Sequence, residues 1–175
     1  MMNRPLSQPL ACLLFASLAV VGCSGTEPTP QPPNIQGEYA GTWDFTIVRS
    51  DGTTTLAASC PCTFSIPTQA GSVFYGRSFL SAACGQAALP LSDGNIDASG
   101  QIRFQILLNL LGTGCTVGTE PPLSGTYANG TISVQRTEPY DCSVADGHQY
   151  TITTKVNVTR TRAQATAPTG ALTAR

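Results

Sequence analysis

The sequence predicts an all-β domain folded as an antiparallel up-and-down barrel of eight strands. Two observations lead to this fold. From residue 37 onward, apolar residues alternate with polar ones, and no apolar period of 3.6 residues persists over the length of a helix. Turn signals separate the alternating runs, the strongest being Asp51-Gly52 and Asn129-Gly130. A β-sandwich built from the same strands is the alternative.

The runs between turn signals define the predicted strands. They lie near residues 38–49, 53–66, 72–83, 86–97, 101–109, 114–128, 131–137 and 148–161. Strands joined by sequential hairpins favour an up-and-down barrel. The outward positions carry polar side chains, namely Gln101, Arg103, Thr153, Lys155 and Asn157. We therefore expect the outer surface to face water rather than lipid.

The tight turns also predict how the strands pair. A two-residue loop at Asp51-Gly52 places Trp43 opposite Cys60, and one at Asn129-Gly130 places Tyr127 opposite Ile132. A three-residue loop at Ala98-Ser99-Gly100 sets Ile96 against Ile102. The further predicted pairs are Ile47 with Leu56, Phe45 with Ala58, Tyr39 with Phe64, Gly125 with Val134, and Leu123 with Arg136. The two residues of each pair lie on the same face of the sheet. That face is mostly apolar, as a buried interior requires.

The first residues have the features of an export signal. Residues 1–22 contain one cation, Arg4, followed by an apolar run that ends at Val21. The segment closes with Val20-Val21-Gly22-Cys23, which resembles the lipobox of bacterial lipoproteins. That resemblance implies cleavage after Gly22 and acyl chains on Cys23, which would anchor the protein in the bacterial cell envelope. In well-studied members of that class, a Ser rather than an Asp after the cysteine favours the outer membrane, on the periplasmic or the outer side.

The rest of the chain divides into three parts. Residues 23–36 contain several prolines and predict an extended tether between the lipid and the domain. Residues 37–162 form the predicted barrel, and residues 163–175 a disordered tail. With 9 Lys and Arg against 10 Asp and Glu, the chain lacks the basic excess typical of nucleic-acid binding, so nucleic acid is not an expected partner.

A short motif on the first strand resembles a known superfamily. Gly41-Thr42-Trp43 is similar to the G-x-W signature of calycin-type barrels, which include the lipocalins, the fatty-acid-binding proteins and the avidins. In lipocalins the tryptophan closes one end of the barrel and an arginine from the final part of the chain packs across it. Arg160 and Arg162 are the candidates for this role, because they share the inward parity of Val156 and Val158. The resemblance implies an architecture and not a ligand, since the central T-D-Y-type motif is absent and Trp43 is the only tryptophan.

The cysteines are interpreted as structural. The register around Asn129-Gly130 brings Cys115 nearly opposite Cys142, and a bulge at residues 120–122 absorbs the remaining offset. We therefore predict a disulfide between Cys115 and Cys142, as suits an oxidising compartment. Cys60-Pro61-Cys62 lacks the second cysteine pair and the nearby histidine that a zinc site needs. Cys84 would bridge Cys60 or Cys62, and the pattern does not distinguish the two.

No catalytic, cofactor or metal site is predicted. His148, the only histidine, follows Asp141, Ser143 and Asp146 in the predicted loop 138–147, where no rigid elements hold the side chains in a catalytic geometry. The stretch from Asp93 to Asp97 lacks the Glu of a calcium loop and is explained by turn formation. The sequence therefore does not predict an enzyme.

Two functions remain as hypotheses. The first is a lipid-anchored, non-catalytic barrel that binds a small apolar ligand. Its expected cavity-lining residues are Tyr39, Trp43, Phe45, Phe104 and Tyr127. The alternative is a protein-interaction module, such as an inhibitor of an envelope enzyme or a structural scaffold. Its expected contact surface is the outward row Val73, Tyr75, Arg77 and Phe79, provided that a turn at residues 69–71 sets the register.

Overall fold

The computed structural model describes residues 29–84, 88–107, 114–118 and 120–163. The predicted signal peptide, the lipobox with Cys23, the first part of the tether and nearly all of the predicted tail lie outside these residues.

The described residues form a closed antiparallel barrel. The strands are β1 Gly37–Arg49, β2 Thr54–Ala70, β3 Val73–Leu80, β4 Ala88–Ile96, β5 Gln101–Gln105, β6 Thr116–Val117, β7 Leu123–Ala128, β8 Thr131–Cys142 and β9 His148–Ala163. Neighbours follow the order β1, β2, β3, β4, β5, β7, β8, β9, and β9 pairs with both β8 and β1. Because this ring has eight members, the predicted eight-stranded up-and-down barrel is confirmed, and β6 is one extra strand.

The hairpin registers agree with the turn chemistry. Trp43 pairs with Cys60, Tyr39 with Phe64, and Ile96 with Ile102. Tyr127 pairs with Ile132 across a turn in which Asn129 and Gly130 have φ angles of 51° and 78°. Positive φ at both central residues is what a type I′ hairpin needs, and Asn-Gly supplies it at low cost.

The predicted strand 114–128 is interrupted in the structure. Its two parts, β6 and β7, both pair with β8 along the same edge, one after the other. The other edge of β8 pairs with β9. Pro121 and Pro122 separate them, and neither residue has a backbone N–H to donate to a ladder. Thr116 pairs with Asp141, two positions out of the register of β7, and this offset brings Cys115 to Cys142. The predicted disulfide between them is present.

Strand β8 is longer than the sequence predicted. It continues to Cys142 with regular alternation of buried and exposed residues, so Glu138 to Cys142 is strand and not loop. The alternation predicted from apolar residues stops early because Arg136 and Glu138 occupy inward positions. The loop between β8 and β9 is therefore residues 143–147 only.

Aromatic side chains fill the middle of the barrel. The ring centroids of Trp43 and Phe45 are 5.6 Å apart, and those of Trp43 and Phe64 6.2 Å. Phe104 meets Phe64 and Phe74 edge-on, at 5.9 and 6.0 Å. Such distances are typical of favourable aromatic contacts. A smaller apolar cluster at the end near residues 50–53 contains Ile47, Tyr140, Cys142 and Ile152.

The end of the predicted tether packs on the opposite end of the barrel. Ile35 is fully buried, and its N–H donates to Gln69 Oε1 at 2.8 Å. Gln69 Nε2 donates to the carbonyl oxygens of Pro33, at 3.0 Å, and Gly71, at 2.9 Å. Residues 33–36 therefore lie beside the turn that joins β2 to β3.

The structure also assigns the second disulfide. β3 ends at Leu80, and the N–H of Ser81 donates to the Pro61 carbonyl at 3.0 Å. The chain then forms a short 3-10 turn, Ala82–Cys84, which places Cys84 against Cys60. Cys62 stays a buried free thiol. Extrapolating the β3 register along the strand could not find this bond, because the strand ends before Cys84.

Candidate functional site

Polar side chains occupy one level of the barrel interior. Arg136 and Glu138 point inward from β8, and Thr154, the partner of Arg136 in the ladder, points inward from β9. Arg136 is 4% exposed, Glu138 0% and Thr154 1%. With Glu120, which lies beside Arg136, these residues are called the interior polar cluster below. The ladder places Arg136 and Thr154 between the aromatic core and the smaller apolar cluster.

The cluster is held together by charge. Arg136 Nη2 lies 3.2 Å from Glu138 Oε1 and 4.0 Å from Glu120 Oε1. Arg136 Nη1 donates a hydrogen bond to the carbonyl of Ile106 at 3.0 Å. One guanidinium therefore faces two carboxylates, and a buried ion pair of this kind stabilises a fold only when its other polar atoms are also satisfied.

Several of those polar atoms have no hydrogen bond. Within the described part of the chain these are Arg136 Nε, both carboxylate oxygens of Glu138, and Thr154 Oγ1. Trp43 Nε1 is also unbonded, on a residue whose ladder partner, Val156, is two positions from Thr154. A buried polar atom without a partner costs about 1–3 kcal/mol. The cluster therefore has hydrogen-bonding capacity that the described residues leave unused.

Burial raises the pKa values of two inward-facing side chains of β8, Glu138 and Tyr140. Burial raises the pKa of Glu138, and the neighbouring Glu120 adds to the increase, while Arg136 and the Tyr140 hydroxyl act against it. The pKa of Tyr140 is raised to about 12, first by burial and then by the charge of Glu138. The interior thus disfavours negative charge that is not compensated by a cation.

The residues that were expected to line a cavity lie in the packed core of the barrel. Tyr39, Trp43, Phe45 and Phe104 are all buried, and three of them take part in the aromatic contacts described above. Tyr127 is half-buried, and the guanidinium carbon of Arg160 lies 5.6 Å from its ring centroid. Four of the five expected residues are therefore buried members of the hydrophobic core, and Tyr127 packs against it.

The two candidate arginines lie elsewhere than the calycin resemblance implies. Arg160 pairs with Tyr39, whereas the partner of Trp43 on β9 is Val156, and the rings against Trp43 are Phe45 and Phe64. Arg162 is exposed and pairs with Glu38. The outward position of Arg162 follows from a bulge in β9, where Thr161 is an extra residue that reverses the parity after Arg160.

The acidic loop residues make local turn bonds. Asp146 accepts hydrogen bonds from the His148 N–H at 2.9 Å and from the Tyr150 hydroxyl at 2.6 Å. Asp97 accepts from the Ser99 hydroxyl at 2.6 Å and from the N–H groups of Ser99 and Gln101. These bonds lower the pKa of Asp146 and of Asp97. Within the ranges that the structure describes, no three His, Cys, Asp or Glu side chains are grouped as metal ligands.

The outward row on β3 is exposed, as the sequence predicted. Tyr75 is 56% exposed, Phe79 42% and Val73 39%, and Arg77 is exposed between them. These residues form the β3 face together with their ladder partners on β2 and β4, which are Thr63, Ser65, Thr68, Ala70, Ala88, Pro90 and Asn95.

Sequence reasoning missed the interior polar cluster. The signal was present, because Arg136, Glu138 and Thr154 all have the parity of the buried residues around them. A run of polar residues at inward positions was instead interpreted as the end of a strand. Regular alternation that continues through charged residues indicates a polar interior.

Comparison with known proteins identifies no relative. No protein-family model, no curated protein and no solved structure matches this chain. The class that the structure defines is that of the fold, an eight-stranded antiparallel barrel with two disulfides. Among the described residues, none of the helical segments has the length and apolar character needed to cross a bilayer.

Proposed function

We propose that this protein is a lipid-anchored envelope protein whose barrel binds a small polar ligand without catalysing a reaction. The observation that carries the proposal is the interior polar cluster, in which a buried guanidinium and a buried carboxylate leave hydrogen-bonding atoms unused.

A barrel with a purely structural role has no need of these residues. Replacing a buried ion pair with apolar side chains of similar volume is often neutral or stabilising. Most of the unused atoms at Arg136, Glu138 and Thr154 are acceptors. A small ligand that carries hydrogen-bond donors, such as an amine or a polyol, would therefore complement the cluster.

The packing of the aromatic residues favours a polar ligand over the apolar one expected from the sequence. An apolar ligand would have to displace Trp43, Phe45 or Phe104, which already contact other rings. A donor-bearing ligand would instead gain bonds that the folded protein leaves unmade.

Native mass spectrometry of the protein released from its own envelope tests the ligand. We expect a reproducible small added mass on the wild type. An Arg136→Met/Glu138→Leu variant should stay folded and lose that mass, and Lys155→Met, which removes an exposed charge on β9, should keep it. A bare wild-type mass, or an added mass that survives the double substitution, would refute binding at the cluster.

The lipid anchor has its own test. Metabolic labelling with an alkyne fatty acid should modify the wild type and a Cys12→Ser variant but not a Cys23→Ser variant. Labelling that persists in Cys23→Ser would place the modification on another residue.

The exposure of Tyr75 and Phe79 favours a second function, an interaction module that acts through the β3 face. Large exposed aromatic residues are typical of contact surfaces. Beads carrying the wild type should then retain an envelope component that a Tyr75→Ala/Phe79→Ala variant does not retain. A matched variant on the opposite strand, Gln135→Ala, should behave as the wild type does.

A further inference from the structure

We infer that the β3 face rests on the surface of the lipid layer that holds the protein. The inference depends on the proposed anchor at Cys23, and it concerns a surface distinct from the proposed ligand site inside the barrel.

The first argument is the composition of the outer surface. The outward residues of β8 and β9 include Gln135, Thr137, Lys155 and Asn157, all of them polar. By contrast, the β3 face presents Val73, Tyr75 and Phe79. Their ladder partners are mixed, with Ala70 and Ala88 apolar and Thr63, Thr68 and Asn95 polar. Of the six large apolar residues that are exposed in the described part of the chain, the three on β3 lie in one row, and the others are Leu56, Leu107 and Val144. A row of exposed apolar residues indicates a surface for contact.

The second argument is where the chain leaves the barrel. Gln69 binds Pro33 and Gly71 through the same amide nitrogen, so the tether joins the barrel at the turn preceding Val73. The segment that leads toward Cys23 therefore meets the barrel beside the end of β3 at which Val73 lies.

The third argument is length. The ten residues from Cys23 to Pro33 span at most about 30 Å in the extended conformation that prolines favour. The eight residues of β3 are about 26 Å long at the usual rise of a strand. The tether is therefore long enough for β3 to lie flat on the lipid.

The fourth argument is charge. Arg77 is in none of the ion pairs of the described residues, and the exposed Asp93 lies in the β4 bulge near Tyr75. Glu38, which accepts a hydrogen bond from Ser65 beside Arg77, adds a second negative charge at this surface. The face should therefore not depend on anionic lipids. Tyrosine and arginine beside apolar side chains suit the lipid headgroup region. There the apolar part of each side chain contacts lipid and its polar end contacts water.

Tryptophan quenching by brominated lipid tests this inference. The lipidated mature protein, carrying Tyr75→Trp, Phe79→Trp or Gln135→Trp, is reconstituted into vesicles of brominated or ordinary phosphatidylcholine. Trp43 is buried in the barrel and gives the same background in every variant. We expect the brominated lipid to reduce the added emission of Tyr75→Trp and Phe79→Trp, with no loss for Gln135→Trp.

The other outcomes overturn the inference. Equal emission in both lipids for Tyr75→Trp and Phe79→Trp would show that the face does not touch the membrane. Equal quenching in all three variants would show that the barrel has no preferred side. Absence of quenching together with capture of an envelope protein that needs Tyr75 and Phe79 would assign the face to a protein partner.

A separate measurement tests the proposed anchor, independently of whether the β3 face contacts the membrane. The mass of the peptide that contains Cys23 shows whether the residue is acylated. If it is not, the proposed anchor is wrong, and the same quenching experiment on protein coupled at Cys23 to a maleimide lipid still decides which side of the barrel faces the bilayer.

Discussion

Arg160 lies over the ring of Tyr39 and is hydrogen-bonded to its hydroxyl. The guanidinium carbon is 5.5 Å from the ring centroid, and Nε and Nη2 donate to Tyr39 Oη at 3.2 and 3.0 Å. Nη2 also donates to the Asn34 carbonyl at 2.6 Å, while the Tyr39 hydroxyl donates to the Ile35 carbonyl. One residue from the last strand thus ties the first strand to the segment that precedes it.

Removal of this arginine should loosen that end of the barrel. We expect Arg160→Ala to lower the free energy of unfolding by about 1–3 kcal/mol, because a cation–π contact and charged hydrogen bonds are lost together. Urea unfolding measures the change. Arg162→Ala is the matched control, since Arg162 is exposed, and a similar loss in both variants would contradict the role assigned to Arg160.

Alkaline pH should weaken the fold through its buried tyrosines. Burial raises the pKa of Tyr39 to about 12, and that of Tyr140 likewise. Between the ordinary pKa of about 10 and about 12, the unfolded state loses these protons while the folded state retains them, so the free energy of unfolding falls as pH rises. Tyrosinate absorbance should show a late step that becomes smaller in Tyr39→Phe. A late step of unchanged size would contradict the assignment to Tyr39.

The ion pair of the interior polar cluster should respond very differently to single and double substitution. Arg136→Met alone should cost about 3–5 kcal/mol, because it leaves the fully buried Glu138 without its cation. The Arg136→Met/Glu138→Leu variant should recover most of that loss, and urea unfolding compares the two. If the double variant is as unstable as the single one, the ion pair itself stabilises the fold, and apolar side chains cannot replace it.

Cys62 should be chemically silent in the folded protein. It is a buried thiol without a disulfide partner, and burial raises its pKa to about 11. Since the thiolate is the reactive form, alkylation near neutral pH should be slow until the chain is unfolded. Mass spectrometry of peptides after labelling with and without denaturant measures this. Rapid labelling of Cys62 under native conditions would mean that the barrel opens at β2.

Gly41 should tolerate no side chain. A Cβ built at this position lies 2.0 Å from the Asn157 carbonyl oxygen, which is backbone of the neighbouring strand and cannot simply rotate away. We expect Gly41→Ala to destabilise the barrel by about 1–3 kcal/mol through overpacking. Thr42→Ala, next to it in the chain, serves as the control in thermal unfolding. Equal melting temperatures for the two variants would remove this explanation for the glycine of the G-x-W motif.

Local signals determined much of this fold. Asn129-Gly130 adopts the positive φ angles that its turn requires, and the pairs around it follow directly from that turn. The disulfide between Cys115 and Cys142 could be predicted from the same hairpin, because its register brings the two cysteines within two positions of each other and the break at Pro121 and Pro122 supplies the remaining offset. Alternation and turn chemistry act over a few residues, so a sequence can report them without reference to the rest of the chain.

The tertiary structure decided everything that depends on irregular backbone or on partners distant in the chain. The bulge at Thr161 turned Arg162 outward, and the end of β3 at Leu80 allowed Cys84 to reach Cys60 instead of Cys62. Arg136 and Glu138 became interior residues because closure of the barrel buries their side of β8, whatever their polarity. Closure of the barrel joins strands from both ends of the chain. Whether a polar side chain is buried then depends on neighbours that are distant in the sequence, and a local pattern does not contain them.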